Sequence, residues 1–295
     1  MLIVGCGDSA TGTGGDPANG GSGGTPPPVE GTFEVKWGPT MVPASTESTQ
    51  CVVKRLGNDG PAFVNQIQNE LGATSHHFIV YEVDDEVERP EPYDCFPFTG
   101  SGSSSKLLMI TQKASDTLRL PSGVAYEIPA GKMIRLELHY INVGATPQMA
   151  EATSTFTSIA SEGIEYRADV AFLGSPGFPS IPANDDATYG PVNVSIPGDI
   201  QNANFFAITG HQHKLGTDVF VQLLDSAREP VQQVYDVANF LWDEPETVVF
   251  DPPFTVPSGG SFELTCDWTN FTDEPVGFGT SVDNEMCFFW AYHYQ

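Results

Sequence analysis

The 295-residue chain is 40% hydrophobic, long enough for two ordinary domains and apolar enough to bury a sizeable core. Twelve basic residues against 38 acidic ones leave a formal net charge of −26. That balance excludes a nucleic-acid partner, whose phosphates need Lys and Arg, and argues against binding anionic lipid through a basic patch.

In chain order, the first feature is MLIVGC. Ile3-Val4-Gly5-Cys6 resembles a bacterial lipobox, in which the cysteine becomes the lipidated N-terminus, although the charged and long apolar parts of a full signal are missing. Residues 7–32 are almost all Gly, Ser, Thr, Pro, Asp and Asn, a composition that cannot pack a core and reads as a tether with a stiffer Pro26-Pro27-Pro28 end. Residues 1–6 are therefore expected to be a signal remnant with Cys6 lipidated, and the protein to be exported and anchored to the bacterial cell envelope. In that oxidising compartment Cys51, Cys95, Cys266 and Cys287 can form two disulfides; no C-x-x-C pair points to a zinc ribbon or redox motif. No run of 18 apolar residues suggests a membrane-spanning helix.

From Phe33 onward, short runs rich in β-branched and aromatic residues alternate with turn signals such as PSG, PAG and SPG. FEVKW (33–37), HFIVYEV (77–83), YRADVAFLG (166–174), SFELTCDWTN (261–270) and CFFWAYHY (287–294) are examples, and the pattern is all-β, sandwich or barrel. Only 58–72 tempts a helix assignment, and a strand is preferred there. The run 132–143 alternates cleanly: Ile134, Leu136, Leu138 and Tyr140 should face the core, and Arg135, Glu137 and His139 water or a cleft. A stretch rich in Ala, Thr, Ser and Gly near 144–163 divides the chain into domains at 33–162 and 163–295.

The histidines carry the chemical signal. His76 and His77 are adjacent near a strand start, and His139 lies on a polar strand face in the same half. His211 and His213 fall in TGHQHKLG, where i and i+2 of a strand share a face and two imidazoles can hold one metal. Adjacent strand residues point to opposite faces, so His76 and His77 can share a metal only at a bulge or strand end. Met286, in DNEMC, offers a soft thioether of the kind that selects copper, Cu(I) above all; alone it reads as core filler. His293 reads as a surface or strand-end residue outside any site.

Together these motifs resemble the copper type II, ascorbate-dependent monooxygenases, the family of peptidylglycine α-hydroxylating and dopamine β-monooxygenases. The His-His of SHHFIVYEV, the His of LELHY, the His-x-His of TGHQHKLG and the Met of DNEMC come in the family's order, and LPSGVAYEIPAG (120–131) also matches. The similarity runs over roughly 33–295. It implies two tandem jelly-roll-like antiparallel β-sandwiches facing each other across a solvent-filled, copper-lined cleft. It implies two copper ions: an electron-transfer copper on His76, His77 and His139, and an oxygen-activating copper on His211, His213 and Met286. It implies a Cys266–Cys287 disulfide beside Met286, which leaves Cys51–Cys95. It implies hydroxylation of a C–H bond with dioxygen and ascorbate or another one-electron donor.

Period 2 puts Thr209 on the face of His211 and His213, and Phe288 and Trp290 on the face of Met286, so these three are candidate substrate-pocket residues. The peptide-hydroxylating members carry a carboxylate clamp of Arg, Asn and Tyr at these positions. A carboxylate grip needs such donors, so an apolar or aromatic small molecule, or an amine, is the expected substrate. Glu137 is a candidate partner for His139. The alternative is a copper-binding or storage lipoprotein without turnover.

Overall fold

The computed structural model describes residues 26–95, 105–175, 177–242, 245–279 and 281–295. Cys6 and most of the tether lie outside them. The chain forms β1 (Gly31–Val42), β2 (Thr46–Arg55), β3 (Ala62–Leu71), β4 (Ser75–Val83), β5 (Arg89–Asp94), β6 (Ser105–Thr111), β7 (Ser115–Arg119), β8 (Val124–Ile128), β9 (Met133–Asn142) and β10 (Gln148–Ile159). After residues 160–165 come β11 (Tyr166–Gly174), β12 (Asp185–Val194), β13 (Asn204–His211), β14 (Gly216–Leu224), β15 (Pro230–Tyr235), β16 (Thr247–Thr255), β17 (Ser261–Asn270) and β18 (Phe288–Tyr294). No α-helix occurs among the described residues, and 62–71 is a strand, as its sequence suggested.

Three sheets build the molecule. A five-stranded sheet runs β5-β2-β9-β4-β6 and a four-stranded one β12-β17-β14-β15. The third has nine strands, ordered β1-β10-β3-β8-β11-β18-β13-β16 with β7 also on β3, and passes from one half into the other. The crossing is the short parallel pairing of β8 with β11, Val124↔Tyr166 and Ala125↔Arg167. The cores follow the same plan: Phe206, Ala207, Trp290 and Tyr292 of the second half pack into the N-terminal core, while Phe205, Phe262, Phe289 and Ala291 build the C-terminal one. Where the halves join, β13 and β18 are thus covered on both faces, which explains their long apolar runs.

Three readings are refined. The tether ends earlier than residue 32, because Val29 N–H donates to Pro61 O (2.9 Å) and β1 starts at Gly31. On β9, Ile134, Leu136, Leu138 and Tyr140 are core as expected, but Glu137 and His139 are buried too. Cys51 lies opposite Glu137 on β2, and its disulfide to Cys95 covers that face. His293 is buried at 4% exposure, not superficial, because β18 runs between β11 and β13.

Candidate metal centre

The bulge that adjacent histidines require is present. On the β4–β9 ladder Ser75 pairs with Tyr140 and His77 with His139, so two steps on β4 match one on β9 and His76 is the extra residue. The bulge turns His76 to the side of His77 and His139. The three rings then lie 4.7–5.6 Å apart, centroid to centroid, with one nitrogen of each within 4.8 Å of the others. His139 Nδ1 is 3.3 Å from His77 Nδ1; two nitrogens each about 2 Å from one metal at a tetrahedral angle are separated by about 3.3 Å. Both ring nitrogens of His76 are buried without a hydrogen-bond partner among the described residues.

The second set stands at the end of β13. His211 closes the strand opposite Phe288, and His213 follows in the turn, with the rings 5.3 Å apart. Met286, 3% exposed, precedes β18. What ties these segments is Glu285, a fully buried carboxylate. Its oxygens accept the backbone N–H of His213 (3.0 Å), Leu215 (2.8 Å) and Met286 (3.3 Å) and the indole N–H of Trp268 (2.9 Å). Burial pushes its pKa up to about 7 although those four donors pull the other way. The Cys266–Cys287 disulfide anchors the same segment to β17.

Outer partners fix the tautomers. Glu47 can only accept from His139, so Nε2–H donates to it (3.0 Å) and Nδ1 is left as the ligand atom. This hydrogen bond lowers the Glu47 pKa to about 2. Glu47, not Glu137, is therefore the carboxylate partner. His213 Nδ1–H donates to Asn284 O (3.0 Å) and His211 Nδ1–H to Gln112 Oε1 (3.1 Å), which turns Nε2 of each towards the metal position. Burial, then neighbouring imidazoles, depresses His76 to about 3 and drives His77 and His211 well down; burial takes His213 to about 4. Neutral, buried imidazoles beside a thioether suit a soft, borderline metal such as copper.

The two sets meet. The His77 and His211 rings stand edge to face at 6.3 Å, and His77, His139, His211 and His213 are each at most 3% exposed. The described residues therefore do not show the open cleft implied by the resemblance. Each half also supports the other's candidate ligands: Gln112 holds His211, Glu47 accepts Val282 N–H (3.1 Å), and Trp242 stacks on His76 at 4.9 Å.

Residues 182–295 match the family model for the copper type II ascorbate-dependent monooxygenase, C-terminal domain. This segment is a member of that family. The matched segment contains His211, His213, Met286, Glu285 and Trp242, while His76, His77 and His139 lie outside it. No curated protein matches the chain. Among solved structures, the major capsid protein P2 of bacteriophage PM2 is similar at 9% identity and a TM-score of 0.39, over 90% of this chain and 97% of that one. The Sulfolobus turreted icosahedral virus structure gives 9% and 0.37, over 89% and 90%. Likenesses this slight say nothing about activity.

Thr209, Phe288 and Trp290 do share a face, since Thr209 pairs with Trp290 and His211 with Phe288. Trp290 borders a cavity of about 420 Å³ together with Phe172, Lys106, Asp169 and His293, which Thr209 and Phe288 do not line. Phe172 stacks on Phe288 (4.5 Å) and on Trp290 (4.1 Å), and Thr209 hydrogen-bonds Thr247 (2.7 Å). Gln112, Glu47, Glu285 and Trp242 escaped the sequence reading. Only Glu285, an acid beside Met286 in an apolar run, carried a visible signal.

Proposed function

We propose that the chain is a copper-dependent monooxygenase that hydroxylates a C–H bond of a small organic molecule, with dioxygen and a one-electron donor such as ascorbate. The observation that supports it is the meeting of two buried donor sets, one from each half, in a chain whose C-terminal segment matches this family's domain. His76, His77 and His139 would hold an electron-transfer copper, and His211, His213 and Met286 the copper that meets oxygen. Copper bound there would supply one-electron redox chemistry and a place for dioxygen to react. Glu47, Gln112 and the Asn284 carbonyl each accept from one ring N–H and so turn the other nitrogen to the metal, and burial excludes water. The reading extends to an exported protein held to the cell envelope through lipid at Cys6.

The stacking of Phe172 on Phe288 and Trp290, which fills the face beside His211, favours one rival, a copper-holding protein without turnover. The experiment is copper content after reconstitution and dialysis, for wild type and Met286→Ile, followed by oxygen uptake with ascorbate over a panel of small molecules. Two coppers, one with a Cu(I) signal altered in the variant, and substrate-dependent uptake are expected. One copper or none sinks the monooxygenase reading; two coppers without uptake leave the rival.

A further inference from the structure

Gln112 is 4% exposed and sits just past β6, in the half opposite the His211 set. Its Oε1 accepts from His211 Nδ1–H at 3.1 Å. Its amide nitrogen is buried with no hydrogen-bond partner among the described residues. The two facts are linked. If His211 is to offer Nε2 to a metal, its proton sits on Nδ1, and only the carbonyl end of the amide can receive it. The NH2 end is then forced the other way. A buried donor left unsatisfied is costly, and in native proteins such a group calls for an explanation. Gln112 also lines a cavity of about 240 Å³ together with Ser75, His76 and Lys113. Ser75 Oγ is already engaged with Glu151 O, and Lys113 adds positive charge. With His76 assigned to the metal, the side-chain polar groups that remain to greet a guest there, the Gln112 amide and the Lys113 ammonium, are donors.

We propose that the Gln112 side-chain amide is a hydrogen-bond donor to a small acceptor ligand, an anion or an oxygen-bearing molecule, bound in the cavity that Gln112 shares with His76. This rests on the copper reading, but its tests separate the two. Gln112 thus has two tasks: its oxygen orients His211, and its nitrogen grips the guest.

Azide is the probe, on copper-loaded full-length protein, followed by its antisymmetric stretch in H2O and in D2O. In wild type the stretch should be sensitive to D2O, because an exchangeable N–H touches the azide. Gln112→Glu retains an acceptor for His211 Nδ1–H but has no amide donor. It should keep its copper, lose the D2O sensitivity and bind azide about tenfold more weakly, as expected for one lost hydrogen bond. The added charge of that variant can weaken affinity, but it cannot abolish an isotope shift that is still being made. Gln112→Leu should lose both the shift and the orientation of His211. An unchanged isotope shift in both variants overturns the proposal. Nitrogen-15 NMR of metal-free wild type gives a second reading: His211 protonated on Nε2 instead of Nδ1 overturns it too. If the chain holds no copper, the function proposed above fails, and movement of the Gln112 amide resonances when azide is added to metal-free protein still decides this one.

Discussion

At the scale of single residues, the candidate ligands were legible and their supports were not. A histidine is rare here and its spacing is informative, so five of the six could be grouped from sequence. Glu47, Gln112 and Trp242 reach them from segments 92, 99 and 166 positions away in sequence, as the partnerships Glu47–His139, Gln112–His211 and Trp242–His76 show, and no local pattern marks such pairs. Glu285 is the most consequential of the missed residues. Gln has a single acceptor oxygen in place of two, so Glu285→Gln should lower stability by about 2 kcal/mol and reduce copper held at the His211 set. Urea midpoints and copper counts measure this; a variant with wild-type values on both would show that the carboxylate is dispensable. The buried imidazoles also set a pH dependence. His76, His77, His211 and His213 have folded pKa values below the ordinary 6.5, so the unfolded chain takes up more protons as pH falls below that value. Glu285 acts in the opposite sense, its stabilisation being lost as pH rises from 4.5 through about 7. Glu82, Asp116 and Asp218 are raised by burial in the same sense, but the four imidazoles, two of them driven well down, outweigh these carboxyls, and the urea midpoint of metal-free protein should fall from pH 7.5 to pH 5. A flat or rising midpoint would contradict the burial of these rings.

At the scale of elements, alternation revealed which residues of β9 are core but not what covers its other face. Period 2 separates faces; it does not say which is wet. The Cys51–Cys95 bridge over Glu137 is a tertiary fact, and it buried a face that polarity alone assigned to solvent. The β4 bulge was legible as a requirement, since two neighbouring histidines cannot otherwise converge. Deleting His76 should restore flush pairing of β4 with β9 and leave the fold intact, while copper falls by one per chain; retention of both coppers would place the site elsewhere. The Cys266–Cys287 bridge closes a 21-residue separation, and opening it by Cys266→Ser with Cys287→Ser should cost about 3 kcal/mol. A change under a third of that, read by urea unfolding, would show that the Glu285 hydrogen bonds hold the segment unaided.

At the scale of the whole molecule, the all-β class followed from texture, but the continuity of one sheet through both halves did not. Nothing in residues 124–125 or 166–167 announces a parallel contact between segments about 40 positions apart. With shared sheet, shared core and exchanged supports, the halves should melt together. Calorimetry of metal-free protein should show one transition, and segments 33–162 and 163–295 made separately should bind copper poorly. Two well-separated transitions would mean that the halves are independent.

Phe172 gives the arrangement a selectivity of its own. Its ring lies like a lid of carbon on Phe288 and Trp290, beside the row that carries His211. A visitor to that spot has to offer what the ring already offers, a flat, weakly hydrated face. A charged or heavily solvated molecule would surrender its water to a ring face that offers it no hydrogen bond. Under the proposed function, visitors to that face would be sorted by their shape and dryness before any chemistry begins.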